Sequence, residues 1–431
     1  MYVLYSALLA AALLLGSPYW IFQMLRHGKY RRGLSERFGA VPPRLREESR
    51  PSIWIHAVSV GEVLAVSELA RQLRSEYPEH RVVVSTTTDT GQNLAASRFG
   101  SENVFYFPFD LAFCVKPYFD ALHPELVVVA ETEFWPNILR TAHQRGVRVA
   151  IVNARISDRS FPGYRRWKPL LTHVLRNVDL FLAQTSEDAR RLTDIGAEQN
   201  RVRVGGNLKF DIPPPPAPDI VAQLRSALAA SAAGPVLVCG STVDGEEALL
   251  IDAFKAVLTS YSSAAMLLAP RHPERFPQVA DQLQQSELKF FKRSNWNGEP
   301  LAGSVLLIDS IGELASLYNL ADIAFVGGSL VPRGGHSILE PAHHGVAIVI
   351  GPHTENFRDI VDLFRSKDAV RIVDRADLIR VLTDLLANQA ERLALGRRAL
   401  ETLQSQRGAT QFTMDQLCSL LKRDVGEAHS A

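Results

Sequence analysis

Short apolar runs rich in β-branched residues alternate with longer segments of helical periodicity along most of the chain. This alternation predicts parallel strands whose connecting helices cover both faces of a sheet. Such runs in the first half of the chain predict strands at Ile53–Ala57, Arg81–Ser85, Val104–Phe107, Leu126–Ala130, Val147–Val152, Leu180–Ala183 and Val202–Val204.

A proline run at residues 213–218 separates this half from the next, and it predicts a stiff extended linker because proline fixes φ and lacks an N–H donor. Largely helical segments are expected at Ala376–Leu386 and Ala390–Leu421. Between the linker and these segments, apolar runs predict strands at Val236–Cys239, Met266–Ala269, Val305–Ile308, Ile323–Val326, Ala347–Ile350 and Val370–Val373.

The length of 431 residues favours two domains, since a single hydrophobic core stops growing well below that size. We therefore expect an α/β protein with two doubly wound, Rossmann-like domains, at residues 26–212 and 219–431, facing each other across a cleft. In such sheets ligands bind beyond the carboxyl ends of the strands.

Residues 1–25 contain no charged side chain, and Val3–Leu25 is long enough to cross or enter a bilayer. Gly16-Ser17-Pro18 is expected to interrupt this segment. Eight Arg or Lys follow within residues 26–50, so the positive-inside rule places the rest of the chain in the cytoplasm. A cleavable signal would need positive charge before the apolar stretch. We predict a membrane anchor, either spanning or re-entrant.

The composition limits the kind of partner. A formal net charge of +1 argues against nucleic-acid binding, which requires a surplus of cations. Three cysteines without a C-x-x-C pair support neither a disulfide framework nor a thiolate zinc site. His343-His344 has no partner at metal-ligand spacing, and Walker, G-x-S-x-G and H-E-x-x-H motifs are absent from the sequence.

Candidate acid/base residues follow strands of the first domain. Glu62 lies in the first turn of a helix, where a buried carboxylate can act as a general base or merely complement the helix dipole. Glu131 and Glu133 follow the strand ending at Ala130, and helix capping accounts for only one of them. Lys209, next to the linker, is a candidate ligand of a phosphate or sugar carboxylate or an ordinary surface lysine.

Residues 153–168 combine five cations with aromatic rings. The mixture suits an anionic head group at a bilayer surface, although a solvated loop accounts for it equally well.

In the second domain, residues 240–242 precede a helix and offer an anion site, and Arg271 and His272 follow a strand as candidates for a donor phosphate. Glycine-rich residues 327–341 let the backbone approach a ligand, and Glu340 could bind both hydroxyls of a ribose. A structural glycine turn is the alternative.

These segments together resemble the bacterial Kdo (3-deoxy-D-manno-octulosonic acid) transferases, which have the two-domain GT-B glycosyltransferase fold. The resemblance covers nearly the whole chain in order. It rests on S-V-G-E at 59–62, E-T-E-F-W-P-N at 131–137, N-A-R-I-S at 153–157, G-N-L-K-F-D at 206–211, P-R-H-P-E-R-F at 270–276, G-E-L at 312–314 and F-V-G-G-S-L through L-E-P at 325–341.

The resemblance implies transfer of Kdo from the donor CMP-Kdo to the lipid A precursor lipid IV(A), with inversion, at the cytoplasmic side of the bacterial inner membrane. Glu62 matches the catalytic base, whereas Glu131 and Lys209 match residues that stabilise the transition state. No tightly bound cofactor or metal is implied. The segments that match CMP-binding residues are Arg271, His272, Gly312, Glu313, Leu314, Ile338, Leu339, Glu340 and Pro341.

Ser337 stands where the family commonly has Asn, and we expect this difference to adjust a local hydrogen bond only. Alternatives from other classes are a UDP-sugar epimerase of GT-B fold and a catalytically inactive membrane scaffold. The closest enzymatic alternative is a UDP-sugar transferase. The sequence leaves open how many Kdo residues are added.

Overall fold

A computed structural model describes residues 1–27, 32–46, 50–216 and 218–427. The chain divides into two compact units, Met1–Ile212 with Gln406–Ala431, and Pro213–Ser405. Lys29 and Arg31, two of the basic residues after the predicted anchor, and Ala217 of the predicted linker lie outside the described residues. The rest of the proline run before Pro218 belongs to neither a helix nor a strand.

A seven-stranded parallel sheet forms the centre of the first unit, in the order β3-β2-β1-β4-β5-β6-β7. Alternate residues of its strands enter two different cores, as Trp54 and Ile55 do, so both faces are covered. The strands are β1 Ser52–His56, β2 Arg81–Thr86, β3 Val104–Tyr106, β4 Pro124–Ala130, β5 Arg148–Ala154, β6 Leu180–Ala183 and β7 Val202–Val204.

Helices connect these strands, and three of them begin at a Ser or Thr whose hydroxyl accepts a backbone N–H of the first turn: Ser59, Thr88 and Thr185. The helices in the Met1–Ile212 part of this unit are α1 Tyr2–His27, α2 Leu34–Arg37, α3 Val60–Glu76, α4 Asp89–Phe99, α5 Ala112–Leu122, α6 Pro136–Gln144, α7 Phe161–Arg166, α8 Lys168–Leu175 and α9 Ser186–Asp194.

The second unit repeats this architecture with a parallel sheet in the order β10-β11-β9-β8-β12-β13-β14. Its strands are β8 Val236–Thr242, β9 Ala265–Pro270, β10 Phe290–Lys292, β11 Ser304–Leu307, β12 Ile323–Val326, β13 Ala347–Ile350 and β14 Arg371–Ile372. Its helices are α10 Asp219–Ala230, α11 Glu247–Ser260, α12 Phe276–Gln285, α13 Leu314–Leu317, α14 Leu339–His343, α15 Arg358–Ser366, α16 Leu378–Ala387 and α17 Gln389–Ser405.

The predicted α/β class with two doubly wound units is confirmed, and every predicted strand is present, in four cases with the predicted ends (β6, β7, β12 and β13) and otherwise with ends shifted by up to three residues. β10, a three-residue edge strand that is only half-buried at Phe290 and Phe291, was not predicted. The predicted end of the first strand of the second unit is too early. β8 continues through Gly240 and Ser241 to Thr242, whereas residues 240–242 were expected to follow the strand and precede a helix.

The expected second domain, residues 219–431, differs from the compact unit in its last segment. The predicted helical segment Ala390–Leu421 is two helices, α17 and α18 (Ala409–Glu427), separated at residues 406–408. Asp211 of the first unit accepts the backbone N–H groups of Gly408 and Thr410 at the start of α18. Met414 and Leu417 of α18 pack into the core of the first unit, so this segment belongs there.

The expected anchor is one continuous helix, and the predicted interruption at Gly16-Ser17-Pro18 is wrong. Pro18 has no N–H to offer to the carbonyl of Leu14, but the Ser17 hydroxyl donates a hydrogen bond of 2.7 Å to that oxygen. By length and composition Tyr2–Arg26 could cross a membrane. Its outward face is apolar, with Leu15 at 83% exposure and Leu25 at 75%.

The inward face of α1 contacts the first unit near both of its ends. Asn177 donates a 2.9 Å hydrogen bond to the Tyr2 hydroxyl, and Asn137 donates one of 3.0 Å to Ser6. Toward the other end, Trp20 and Met24 line a largely apolar cavity of about 250 Å³ together with α2 and Phe109. The helix therefore lies along the unit over most of its length.

Candidate functional site

Glu62 lies in the first turn of α3, the helix that follows β1 in the first unit. The Ser59 hydroxyl caps α3 and donates a 2.8 Å hydrogen bond to the Glu62 carboxylate, whose second oxygen accepts the backbone N–H of Val58 at 2.8 Å. The residue is only 8% exposed. The position of Glu62 in the first turn of α3 also allows it to complement the helix dipole, the alternative expected from the sequence. The two hydrogen bonds fix the direction of the carboxylate without excluding a chemical role.

Glu131 lies at the carboxyl end of β4 with an unusual backbone. Its φ of 59° is in the left-handed region, and its N–H is held by the carbonyl of Val152 in the neighbouring strand at 2.9 Å. The Lys209 ammonium group donates a 2.9 Å hydrogen bond to the Glu131 carboxylate, and both side chains are less than one-third exposed. Two residues that are 78 positions apart in sequence therefore form one ion pair.

The charges of this cluster act on one another. Burial raises the pKa of Glu62, the Glu131 charge raises it further, and Lys209 opposes the shift. Burial raises the pKa of Glu133 to about 7, with the charges of Glu62 and Glu131 adding to the effect. The structure therefore brings together Glu62, Glu131, Glu133 and Lys209, as their positions after strands suggested. Their catalytic roles stay predictions.

A buried amide network holds the Lys209 segment in place. The Asn153 side-chain oxygen accepts the N–H of Leu208 at 3.0 Å, and Gln184 donates to the Asn153 carbonyl at 3.0 Å. Asn207 in turn donates to the Gln184 side chain at 3.0 Å and accepts the N–H of Lys209 at 3.0 Å. Gln184 was not recognised in the sequence. Its one signal is its place directly after β6.

Asn153 is itself conformationally unusual, with φ 55° at 2% exposure. Asparagine tolerates the left-handed region better than most residues with a Cβ. The N-A-R-I-S segment thus contributes backbone geometry and a hydrogen-bond acceptor to the site.

The cationic segment at residues 153–168 extends from this edge of the sheet. The Tyr164 ring lies 5.7 Å from that of Phe134, and burial raises the pKa of Tyr164, with the Glu133 charge adding to the shift. Trp167, by contrast, is 62% exposed beside the cations of α7 and α8. One side of the segment thus borders the carboxylate cluster and the other carries an exposed aromatic ring.

In the second unit, Arg271 and His272 follow β9 and are exposed. Their positive charges, after burial as the larger cause, lower the pKa of His336 to about 4. The surrounding protein raises the pKa of the Glu340 carboxyl, and the Arg271 charge partly opposes this shift. Residues predicted from two separate motifs, 271–272 and 336–340, therefore lie close enough to interact electrostatically.

The remaining predicted donor-site residues lie at the same edge of this sheet. Leu314 begins α13, and Leu314 and Tyr318 cover Gly240 so closely that a Cβ there would lie 2.1 Å from the Tyr318 hydroxyl. Glu313 forms an ion pair with Arg293 at 3.0 Å. The preceding residue, Gly312, has φ 92°. Ile338 precedes α14, which contains Leu339, Glu340 and Pro341. The Ser337 hydroxyl accepts the N–H of Leu339 at 3.4 Å, a local role as expected.

Among the described residues, no group of three or more His, Cys, Asp or Glu is placed to hold a metal ion. The His344 Nε2–H group donates a 2.9 Å hydrogen bond to the Ala315 carbonyl, so it connects the end of α14 to α13. Cys114 and Cys239 are buried as free thiols.

Comparison with known proteins identifies relatives for both units. The family model for 3-deoxy-D-manno-octulosonic-acid transferases (kdotransferases) matches residues 32–212. The 3-deoxy-D-manno-octulosonic acid transferase of Haemophilus influenzae is 35% identical over 408 residues, which cover 92% of this chain and 93% of that protein.

Solved structures give a second comparison. The C-terminal CMP-Kdo binding domain of WaaA from Acinetobacter baumannii is 35% identical to the matched part of this chain, with a TM-score of 0.41. The match covers 43% of this chain and 97% of that domain. The UDP-GlcNAc 2-epimerase of Neisseria meningitidis is 12% identical with a TM-score of 0.56 and covers 85% of this chain and all of that one. At this identity the epimerase shows a shared fold alone.

Proposed function

This chain belongs to the 3-deoxy-D-manno-octulosonic acid transferase family and is a glycosyltransferase, and on that premise we propose that it transfers Kdo from CMP-Kdo to lipid IV(A) with inversion. The observation that supports this most directly is the cluster of Glu62, Glu131 and Lys209, with a shielded carboxylate of raised pKa at its centre.

In the proposed step Glu62 accepts the proton of an acceptor sugar hydroxyl. The hydroxyl oxygen forms a bond to the anomeric carbon of Kdo while the bond from that carbon to the CMP phosphate oxygen breaks, and CMP leaves with the electron pair. A raised pKa suits a general base because it strengthens the affinity of the carboxylate for the hydroxyl proton. One displacement without a covalent intermediate inverts the anomeric centre.

The ion pair of Lys209 and Glu131 has two roles in this proposal. Lys209 opposes the rise in the pKa of Glu62 that burial and the Glu131 charge produce. Its ammonium group also provides a fixed positive charge for an anionic reactant, and Kdo carries a carboxylate. Glu131 holds Lys209 at 2.9 Å, so it acts on the reaction partly through the position of the lysine.

Arg271 and His272 are proposed to bind the donor phosphate, because both are exposed at the carboxyl end of β9 and neither forms an ion pair closer than 3.9 Å among the described residues. Glu340 is proposed to accept hydrogen bonds from the ribose hydroxyls. The 312–314 turn and Ile338–Pro341 complete the nucleotide site. Neither a metal nor a tightly bound cofactor enters the proposed reaction.

We also propose that α1 attaches the enzyme to the cytoplasmic side of the inner membrane. Its outward face carries exposed apolar residues along its whole length, while its inward face contacts the first unit near both ends. A helix held in this way lies along the unit, with its outer face in the lipid. Exposed Trp167 of the cationic segment and exposed Leu170 of α8 suit the same interface.

The decisive experiment is transfer of labelled Kdo from freshly generated CMP-Kdo to lipid IV(A) in detergent, by the wild type and Glu62→Gln. Glu68→Gln is the matched control, since Glu68 lies on the same helix α3 and pairs with Arg71 at the surface. Activity in the wild type and Glu68→Gln, but not in Glu62→Gln, supports the assignment. Competition by CMP but not UDP excludes a UDP-sugar transferase. Inactivity of the wild type beside an active reference transferase contradicts the proposal.

A further inference from the structure

The carboxylate of Glu246, directly before α11, is enclosed by backbone N–H groups. It has no exposed surface, and its Oε2 atom accepts the N–H of Val243 at 3.0 Å and of Gly328 at 2.7 Å. Its Oε1 atom accepts the N–H groups of Ser329 and Leu330, both at 2.9 Å. Three successive amides of the glycine-rich segment therefore bind a side chain of the protein itself.

The backbone of this turn is shaped around that carboxylate. A Cβ at residue 327 would lie 2.8 Å from Glu246 Oε2 and 2.5 Å from the Ser241 carbonyl, so Gly327 is required for the close approach. Gly328 has φ 71°, in the left-handed region. The glycines expected to admit a ligand to the backbone thus admit Glu246 at these two positions.

Hydrogen bonds connect the turn to the donor site. The Gly328 carbonyl accepts the N–H of Gly335 at 2.8 Å, and Gly335 precedes His336, whose pKa responds to Arg271 and His272. The Ser329 hydroxyl accepts a hydrogen bond from the N–H of Gly351 at 2.8 Å. The Ser329 carbonyl accepts one from the N–H of His353 at 3.0 Å. A displacement of the turn would therefore be transmitted to both following loops.

We infer that Glu246 is a positioning residue for the donor site: it acts as an internal anion that fixes residues 328–330, so these amides hold the loop and do not bind the donor phosphate. The inference rests on the proposed placement of the donor in this unit. It assigns anion binding to the Arg271 region, because an N–H that is already bonded to a buried carboxylate has no capacity left for a phosphate oxygen.

Neighbouring Glu247 provides a matched comparison. It is equally buried, but its partners are side chains: Arg275 at 3.1 Å and the Thr242 hydroxyl at 3.3 Å. Replacing either glutamate by glutamine keeps the shape and places an amide NH₂ in a buried polar site. Only at position 246 does the NH₂ group face backbone donors of the glycine-rich turn.

The first test uses the wild-type chain in detergent and hydrogen exchange of the 328–330 amides, with and without CMP. We expect slow exchange without nucleotide and no further slowing when CMP binds, while segment 271–272 becomes protected. Fast exchange without nucleotide, or protection of 328–330 by CMP, overturns the inference. Absence of any CMP binding contradicts the proposed function, yet exchange in the free protein still tests the role of Glu246.

The second test compares Glu246→Gln with Glu247→Gln by CMP titration calorimetry, the KM for CMP-Kdo, kcat and Tm. For Glu246→Gln we expect CMP to bind roughly tenfold more weakly and the KM for CMP-Kdo to rise by a similar factor. Both changes should be larger than those of Glu247→Gln, even where the two variants lose a comparable amount of Tm. Glu246→Asp, which keeps the charge, should recover part of the affinity. Equal losses in the two Gln variants, or unchanged affinity in Glu246→Gln, contradict a positioning role.

Discussion

Each unit has a glutamate where the first strand of its sheet is followed by a helix, and the two glutamates have different surroundings. Glu62 receives one backbone N–H and one hydroxyl and lies beside two other carboxylates. Glu246 receives four backbone N–H groups and is completely enclosed. Because a carboxylate has about four acceptor sites, Glu62 retains capacity for a substrate proton and Glu246 does not.

The contrast teaches that position in a fold does not by itself assign a role. Both carboxylates complement a helix start, as acidic residues often do. The number of donors already bound, and the residual access of solvent and substrate, separate a candidate base from a structural anion.

The largest expected effect on activity is that of Glu62→Gln. We expect kcat to fall roughly 10²- to 10⁴-fold, because the amide cannot accept the hydroxyl proton. Tm should change little, since the glutamine oxygen can still accept one of the two local hydrogen bonds. Steady-state transfer assays and thermal unfolding check both values. If the kcat of Glu62→Gln stays within roughly threefold of the wild-type value, Glu62 is not the base.

Glu246→Gln is expected to give the largest loss of stability. The new NH₂ group faces two backbone donors, so we expect the free energy of unfolding to fall by about 2–4 kcal/mol. Denaturant unfolding of the detergent-solubilised chain measures this. A smaller loss than that of Glu62→Gln would show that the four N–H contacts do not set this carboxylate apart.

The pH dependence of kcat tests how the charges of Glu131 and Lys209 affect the pKa of Glu62. Activity requires the ionised carboxylate, so it should fall as pH drops through a pKa that lies above the ordinary value of about 4.3. Lys209→Met removes a charge that lowers this pKa, and should move the acidic limb to higher pH. Glu131→Gln removes a charge that raises it, and should move the limb to lower pH.

Both variants also reduce kcat if the ion pair contributes to the reaction, so the position of the limb is the diagnostic quantity. A full pH–rate profile of each variant measures it. Shifts in the same direction for Lys209→Met and Glu131→Gln would contradict the electrostatic coupling of Glu62 to this pair.

The smallest predicted effect concerns Asn153. Asn153→Gly tolerates φ 55° but loses the acceptor for the Leu208 N–H, and we expect a loss of about 1–2 kcal/mol in unfolding free energy with a kcat lowered by a few-fold. Asn153→Ala adds about 1 kcal/mol of backbone strain. Unfolding experiments measure the loss of stability in each variant, and transfer assays measure the change in kcat. Equal stability of both variants would show that the left-handed backbone carries no cost here.

Much of the fold was predictable, because buried parallel strands are nearly continuous apolar runs. Strands such as β1 and β4 are recognisable from local composition alone. β10 was missed because three half-buried edge residues give no such signal. The Pro18 interruption was predicted wrongly because the compensating bond from Ser17 to Leu14 depends on side-chain geometry.

The assignment of α18 to the first unit depends on long-range contacts. Asp211 caps this helix across 199 positions, and no local pattern announces that bond. In the same way the sequence placed Glu62, Glu131 and Lys209 after strands, which suffices to bring them to one edge of a sheet. It did not reveal Gln184, whose partners come from β5 and the segment after β7.

The sequence by itself determined the two doubly wound units, the apolar N-terminal helix and the residues of both candidate sites, since hydrophobic periodicity and motif order are local properties of the chain. Only the tertiary structure decided that the Glu246 carboxylate is saturated with hydrogen-bond donors and that the Glu62 carboxylate is not. Hydrogen-bond capacity and pKa depend on partners tens of residues away, as Gly328 to Leu330 are from Glu246 and Lys209 is from Glu131.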